Sequence, residues 1–334
     1  MSSKISQKPF LSASTLFLLT FFTSPAYSQI TVITIDVGQG DCVLIQSDTH
    51  KILIDAGWGY DNVADYLADK GISRINKIVA THGHADHIGG LVGVLQRKDV
   101  DKVLYNGQTH TTLTFERFVD AIAESEAAYH EPSRCESFEL GDMTLEILHP
   151  EGSAADYEGH LHDNNIVARI VYGDFAVIIS GDIEQNKELE ILESGVDVSA
   201  QILELGHHGS STSSHPDWIE AVDPELAFWQ AGEDNQYGHP HDETLSTLER
   251  LGVETIGTAT HGTITITAQS DGIFEVESQI ATEEAHDQHC IDLNQSDKSE
   301  LNQIIHIGEG RAQAIKQGRP WQNARELTEI RGIG

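Results

Sequence analysis

Thr81-His82-Gly83-His84-Ala85-Asp86-His87-Ile88-Gly89-Gly90 packs three imidazoles and one carboxylate into six residues, directly after the apolar run Ile78-Val79-Ala80. Histidine and aspartate at this density suit a borderline divalent cation, zinc first. The apolar run reads as a buried strand, Lys77 to Thr81, that ends in the histidine loop. A helix resumes after the loop, from Ile88 to Gln96.

Outward from that loop, strand-like and helix-like segments alternate. Before it stand strands at Thr31 to Asp36, Cys42 to Gln46 and Lys51 to Asp55, then a helix at Asn62 to Lys70. After it come a short strand at Val103 to Tyr105, a helix near Phe115 to Ala127, and strands at Ser137 to Leu140 and Thr144 to Leu148. Ile166 to Tyr172 and Phe175 to Ser180 form a hairpin through the turn pair Gly173-Asp174. Strands at Gln201 to Leu205, Leu226 to Gln230, Thr263 to Thr267 and Ile273 to Val276 follow, with helices at Gln185 to Leu192 and Asp242 to Leu251. Mixed strands with helices between them predict an α/β class: two sheets packed together and covered by helices on both outer faces.

More residues suited to metals stand at strand ends. Asp182, in Ser180-Gly181-Asp182, follows one strand and has the two oxygens needed to bridge a pair of cations. Alone it would read as a helix cap. His207 and His208, in Gly206-His207-His208-Gly209-Ser210, follow another strand, and a histidine there can close a second metal. Asp55 ends Ile52-Leu53-Ile54 and is placed to orient ligands or water.

The order Asp55, H-x-H-x-D-H, Asp182, His207 resembles the metallo-β-lactamase superfamily. Ile35-Asp36-Val37-Gly38-Gln39-Gly40-Asp41, Ile52-Leu53-Ile54-Asp55-Ala56-Gly57, Gly206-His207-His208-Gly209-Ser210 and Tyr237-Gly238-His239-Pro240-His241 are similar to the soluble domain of the ComEC family of DNA-uptake channel proteins. The resemblance covers roughly residues 30–278 and implies an αββα sandwich with two metals at the edge of its sheets. Carried over, it assigns His82 and His84 to the first metal, Asp86, His87 and His207 to the second, and Asp182 to both. The superfamily's further histidine on the first metal falls in His160-Leu161-His162-Asp163-Asn164-Asn165, where His160 or His162 would supply it. His208 is a further candidate ligand.

Two divalent cations, zinc or manganese, lower the pKa of a shared water, toward roughly 7 at zinc, and polarise a phosphoryl or carbonyl oxygen. A phosphodiester suits a paired site, because both its attacking and leaving oxygens can be clamped. Asp86 and Asp55 are catalytic candidates beside the metals, and His239 and His241 are candidates to protonate or orient a leaving oxygen. Ser210, Ser211 and Thr212 offer hydroxyls and amides to a substrate phosphate.

The flanks point to export. Lys4 and Lys8, the apolar run Phe10 to Phe22, and Ala26-Tyr27-Ser28 read as a signal peptide over residues 1–28, which predicts a periplasmic or secreted protein with no stable membrane span once the signal is removed. Cys42, Cys135 and Cys290 make no disulfide scaffold, and one bridge at most is open to them. The net charge is −33. Residues 290–334 carry as many basic as acidic residues, so the whole excess lies before them. Such a surface repels polyanions at long range and counts against tight DNA binding by the large domain, 29–278, unless divalent metals offset the repulsion locally.

A polar, acidic linker spans 279–289. Beyond it, short helices separated by glycine turns resemble the helix-hairpin-helix domain of the ComEA family. That resemblance implies DNA as partner, with Ile307, Gly308, Gly310 and Arg311 at the hairpin. His306 stands where the family has its first hairpin glycine, and the sequence stops at Gly334, inside the second hairpin. The combined reading is an exported dinuclear hydrolase of DNA phosphodiesters, linked to DNA uptake or processing. Two alternatives stay open: a hydrolase of the same fold acting on a phosphocholine ester, lactone or lactam, and a DNA-binding protein without catalysis. Oligomeric state is not legible.

Overall fold

The computed structural model describes residues 29–152, 159–280, 293–301 and 309–321. Its first half runs β1 (Gln29–Thr34), β2 (Val43–Gln46), β3 (Lys51–Ile54), α1 (Asn62–Asp69), β4 (Arg74–Ile75), β5 (Lys77–Ala80), α2 (Ala85–Arg97), β6 (Asp99–Val100), β7 (Lys102–Tyr105), α3 (Leu113–Glu124) and β8 (Ala128–His130). The second half begins with β9 (Ser137–Leu140), β10 (Met143–His149), β11 (Val167–Tyr172), β12 (Phe175–Ile179), α4 (Gln185–Ser194) and β13 (Ile202–Glu204). It continues with α5 (Pro216–Val222), β14 (Leu226–Trp229), α6 (Asp242–Leu251), β15 (Glu254–Gly257), α7 (Thr258–His261), β16 (Ile264–Gln269) and β17 (Phe274–Ser278).

The strands form an eight-stranded sheet, ordered β17-β16-β1-β2-β3-β5-β7-β8, and a seven-stranded sheet, ordered β15-β14-β13-β12-β11-β10-β9. β4 and β6 pair separately. Apolar residues explain the layering. Ile30, Val32, Ile54, Leu145, Ile170 and Phe228 belong to one buried cluster built from both sheets. A second cluster joins the first sheet to Leu67 of α1, Leu91 of α2 and Phe118 of α3. A third joins the second sheet to Ile191 of α4, Trp218 of α5 and Leu248 of α6. The architecture is thus the expected αββα sandwich, an α/β fold. β16 and β17 close it by returning to the first sheet, with Gln29 opposite Gln269.

Each sheet has a parallel half, β3-β5-β7-β8 in the first and β12-β13-β14-β15 in the second. Ligand sites in such sheets lie beyond the carboxyl ends of the strands. Those ends carry Asp55 after β3, Thr81 and His82 after β5, and Asp182 after β12.

α2 begins at Ala85 rather than Ile88, with His84 as its cap, so Asp86 and His87 sit on the first turn. A carboxylate is favoured there by the helix dipole. The glycines let the helix press on neighbouring backbone: a Cβ on Gly90 would lie 2.1 Å from the Ala56 carbonyl oxygen, and one on Gly93 1.9 Å from that of Tyr60. This close approach draws the first turn of α2 towards the Asp55 loop. Four strands escaped sequence reading. β4 and β6 have two residues each, β8 has three, and β15 is largely exposed, so none carries an apolar period.

A separate compact unit begins after Ile280. It contains α8 (Lys298–Leu301) and α9 (Glu309–Gly318). Leu301, Ala312 and Ile315 are buried, and the Arg319 guanidinium donates to the Leu293 and Ser296 carbonyls. Gly310 and Arg311 fall in the first turn of α9, while Ile307 and Gly308 lie outside the described residues, as do residues 1–28 and Cys290. Cys42 is a buried free thiol and Cys135 an exposed one. Among the described residues, no helix is long and apolar enough to cross a membrane.

Candidate metal centre

Two clusters of ligand atoms meet at Asp182, which is almost completely buried. Its Oδ2 lies 3.6 Å from His82 Nε2 and 3.5 Å from His162 Nε2. His84 Nδ1 approaches those same nitrogens to 2.8 and 3.2 Å. His82, His84, His162 and Asp182 therefore form one group able to hold a cation. On the other side, Asp182 Oδ1 lies 3.3 Å from His87 Nε2 and 3.6 Å from His208 Nε2, and Asp86 Oδ2 lies 3.5 Å from His208 Nε2. One carboxylate thus presents a separate oxygen to each cluster.

The free atoms fit a metal pair. His87 Nε2, His208 Nε2 and Asp182 Oδ1 are buried without a hydrogen-bond partner, although they face one another. Leaving such groups unsatisfied is costly, and a cation satisfies all three together. Burial and then neighbouring imidazoles lower the pKa of His82 far below the usual value, and burial and then His162 bring that of His84 to about 4. Both rings are thereby held in the neutral form that a metal ligand needs. For His87 and His208, burial is outweighed by the carboxylates of Asp182, Asp55 and Asp41, which raise the pKa well above the usual value, and a bound cation would displace those protons.

The ring nitrogens facing away from the cluster are held by carboxylates, the usual support for metal-binding histidines. Asp55 Oδ2 accepts from His87 Nδ1 at 2.9 Å, and its carboxylate also accepts from the amide and hydroxyl of Thr81. Asp41 Oδ1 lies 3.0 Å from His208 Nδ1. Asp41 also falls within reach of the second cluster, but its contact is with the outer nitrogen of His208, so we assign it to orienting that ring. Asp41→Asn is expected to weaken the second cation about 10- to 100-fold while leaving the first unchanged. Competition with a chromophoric chelator measures this, and equal loss at both positions would remove the assignment.

Several residues stand elsewhere than expected. His208, not His207, faces His87 from its loop. Both residues have left-handed backbone (φ +58 and +52), which sends adjacent side chains in different directions. His207 instead borders the cleft beside His162 and Glu184, its Nδ1 3.3 Å from Thr212 Oγ1. Of the pair His160 and His162, the short helical turn Leu161–Asn164 buries His162 and leaves His160 exposed as its cap. Asn165 in the same segment braces the bridging loop, accepting from the Asp182 amide and donating to the Ser180 carbonyl.

Ser210, Ser211 and Thr212 do not line the cleft. The Ser210 and Thr212 hydroxyls bond each other, and the Ser211 amide donates to His241 Nδ1 at 2.9 Å. His241 Nε2 lies 3.3 Å from the Tyr237 carbonyl, so this ring braces two loops and has no nitrogen left for a leaving oxygen. His239 does line the cleft, with its pKa lowered to about 4 by burial and then by His208 and His207.

Three further residues were not foreseen. Glu204, at the end of β13, accepts from the Ser180 and Gly181 amides, while Gln230 Nε2 donates to its other oxygen at 2.7 Å. Gln230 in turn accepts from the Cys42 amide at 2.9 Å. This buried chain ties the Asp182 loop to the loop of Asp41. Its signal was a polar residue closing each of the apolar runs Ile202-Leu203-Glu204 and Leu226-Ala227-Phe228-Trp229-Gln230. Glu188 of α4 accepts from the amides of Ser214 and His215, both at 2.7 Å, and fixes the far end of the loop that begins at His207.

Burial raises the Glu188 pKa to about 7, against the two backbone bonds that lower it. Its folded pKa is above its unfolded one, so its stabilising contribution is complete below about pH 4.5 and is lost as pH rises through about 7. The stability of wild type relative to Glu188→Gln is expected to fall by about 3 kcal/mol across that window. Urea unfolding at a series of pH values checks this, and a constant difference would contradict it.

Comparison with known proteins follows this geometry. The family model of the Metallo-beta-lactamase superfamily matches residues 35–261. ComE operon protein 3 of Bacillus subtilis (strain 168) is 27% identical over 270 residues, which cover 75% of this chain and 34% of that protein. Competence protein ComA of Neisseria gonorrhoeae is 28% identical over 234 residues, covering 69% and 31%. A protein named Deoxyribonuclease from Thioalkalivibrio sp. (strain K90mix) is 58% identical over 59 residues, covering 18% and 16%. The chain spans about a third or less of the length of these relatives.

Proposed function

Because this chain belongs to the metallo-beta-lactamase superfamily, we propose that it is a dinuclear metal-dependent phosphodiesterase with DNA as its substrate. The observation that carries the proposal is Asp182, whose two oxygens face two separate sets of imidazole nitrogens. His82, His84 and His162 would hold one cation and Asp86, His87 and His208 the other. Imidazole and carboxylate donors favour zinc, with manganese as the second choice. When bound, such a pair supplies Lewis acidity and an acidified water.

The protein's own side chains do the remaining work. Asp55 and Asp41 keep His87 and His208 in one tautomer and orientation. His207 and His239 border the cleft, where a neutral imidazole N–H can donate to the leaving oxygen of an ester. Glu204 and Gln230 hold the two halves of the site in register.

DNA as substrate rests on the likeness to competence proteins and to a deoxyribonuclease, and on the helix-hairpin-helix reading of residues 290–334. The export reading of residues 1–28 would put that activity in the periplasm or outside the cell. Charge reversal at Arg311 should weaken retention of duplex DNA in a gel shift, and unchanged retention removes the module from the proposal. The acidic surface favours a rival: a cell-wall phosphodiester, lactone or lactam. Purified protein should contain about two cations, as a paired site requires. It should hydrolyse bis-p-nitrophenyl phosphate and DNA but not nitrocefin. Cleavage of nitrocefin or a lactone without DNA would favour the rival.

A further inference from the structure

The cleft over the metal centre has a volume of about 350 Å³. Two aromatic rings stand at its rim, one from each half of the molecule: Trp58, just after β3, and Tyr237, in the loop after β14. Trp58 is 62% exposed and Tyr237 53% exposed. Neither ring is used by the core, so burial does not account for their size. From the centre outward, His207, His239 and Tyr237 form a row of rings. His239 lies 5.5 Å from His207 and 5.7 Å from Tyr237, to which it is nearly parallel at 22°.

The lining of the cleft contains no lysine or arginine. In a chain of net charge −33, no basic track exists there to follow a phosphate backbone. A polyanion entering this cleft must therefore gain affinity from something other than ion pairing along its length. Aromatic platforms supply it, because each nucleobase has a π-face and stacks without regard to sequence. In a duplex those faces are covered by neighbouring bases, whereas in a single strand they are open.

We propose that Trp58 and Tyr237 stack on nucleobases flanking the phosphate held at the metal centre, so that the site takes single-stranded nucleic acid through its bases. The inference rests on the phosphodiesterase reading and narrows its substrate to strands with unpaired bases. Trp58 and Tyr237 act as binding residues and take no part in bond cleavage.

The test uses the full-length, zinc-loaded protein and two monoesters that differ only by a base, thymidine 5′-monophosphate and deoxyribose 5-phosphate. The nucleotide should bind at least about tenfold tighter, the scale of one stacked base. It should quench tryptophan emission in wild type and not in Trp58→Phe. Trp58→Ala and Tyr237→Ala should each weaken nucleotide binding about 5- to 100-fold and leave the sugar phosphate unaffected, while Trp58→Phe keeps most of the affinity.

Equal affinity for the two ligands would overturn the inference, as would variants that weaken both equally. Tighter binding of N-acetylglucosamine 1-phosphate, lost in the same variants, would overturn it in favour of a saccharide. Because no phosphodiester is cleaved here, the outcomes separate. Base-dependent binding without DNA hydrolysis would retain the rings and remove the phosphodiesterase reading. DNA hydrolysis without base dependence would do the reverse.

Discussion

Asp182→Ala is expected to leave fewer than one bound cation per chain and to lower hydrolysis of bis-p-nitrophenyl phosphate at least about a thousandfold, as losing one member of a cooperative catalytic unit does. The reason is its shared position. Oδ2 faces His82 and His162, and Oδ1 faces His87 and His208, so one substitution strips a ligand from both clusters. The buried histidines then have no central negative charge to offset the two cations, and further loss of metal follows. Asp182→Asn controls for shape: it keeps the volume and one oxygen but removes the charge, and should lose nearly as much. Elemental analysis with steady-state kinetics checks both. Two retained cations and near wild-type rates in Asp182→Ala would place the bridge elsewhere.

The second large effect separates two neighbouring residues. His208→Ala should remove the second cation and about a thousandfold of activity, while His207→Ala should keep both cations and lose about 100-fold, the low end of what a positioned proton donor contributes. His208 Nε2 is buried between Asp86 and Asp182, with its Nδ1 held by Asp41. His207 Nε2 comes within 3.8 Å of Asp182 Oδ2 but lies beside His162, outside the second cluster. Elemental analysis of the two variants, with steady-state kinetics, provides the readout. If His207→Ala empties a position and His208→Ala does not, the assignments exchange.

The histidine loop was legible because its ligands are contiguous and follow an apolar strand, and Asp182 because it ends another. The layered architecture was legible because strands such as Phe175–Ile179 are buried throughout, while helices such as Asp242–Leu251 are apolar on one face. Where reading stopped, backbone geometry decided. Nothing in His207-His208 says which ring turns inward, since that depends on two successive left-handed residues. The choice between His160 and His162 depends on a single short turn that places one as cap and the other inside.

The Ser210 and Thr212 hydroxyls and the Ser211 amide looked free in sequence, but the two hydroxyls pair with each other, Thr212 also meets His207, and the amide donates to His241, 30 residues away. Asp41 ended the quoted stretch Ile35–Asp41 with no role assigned to it, because its partner His208 is 167 residues away. Glu204 was visible as an anomaly in an apolar strand, yet its purpose, holding two amides of the bridging loop, exists only in three dimensions.

The most direct measurement is a crystal structure of the zinc-loaded protein with anomalous data collected at the zinc edge. The account predicts two anomalous peaks: one contacted by His82, His84 and His162, the other by Asp86, His87 and His208, with a different oxygen of Asp182 on each. A single peak, or a pair in which Asp182 touches only one cation, would contradict it.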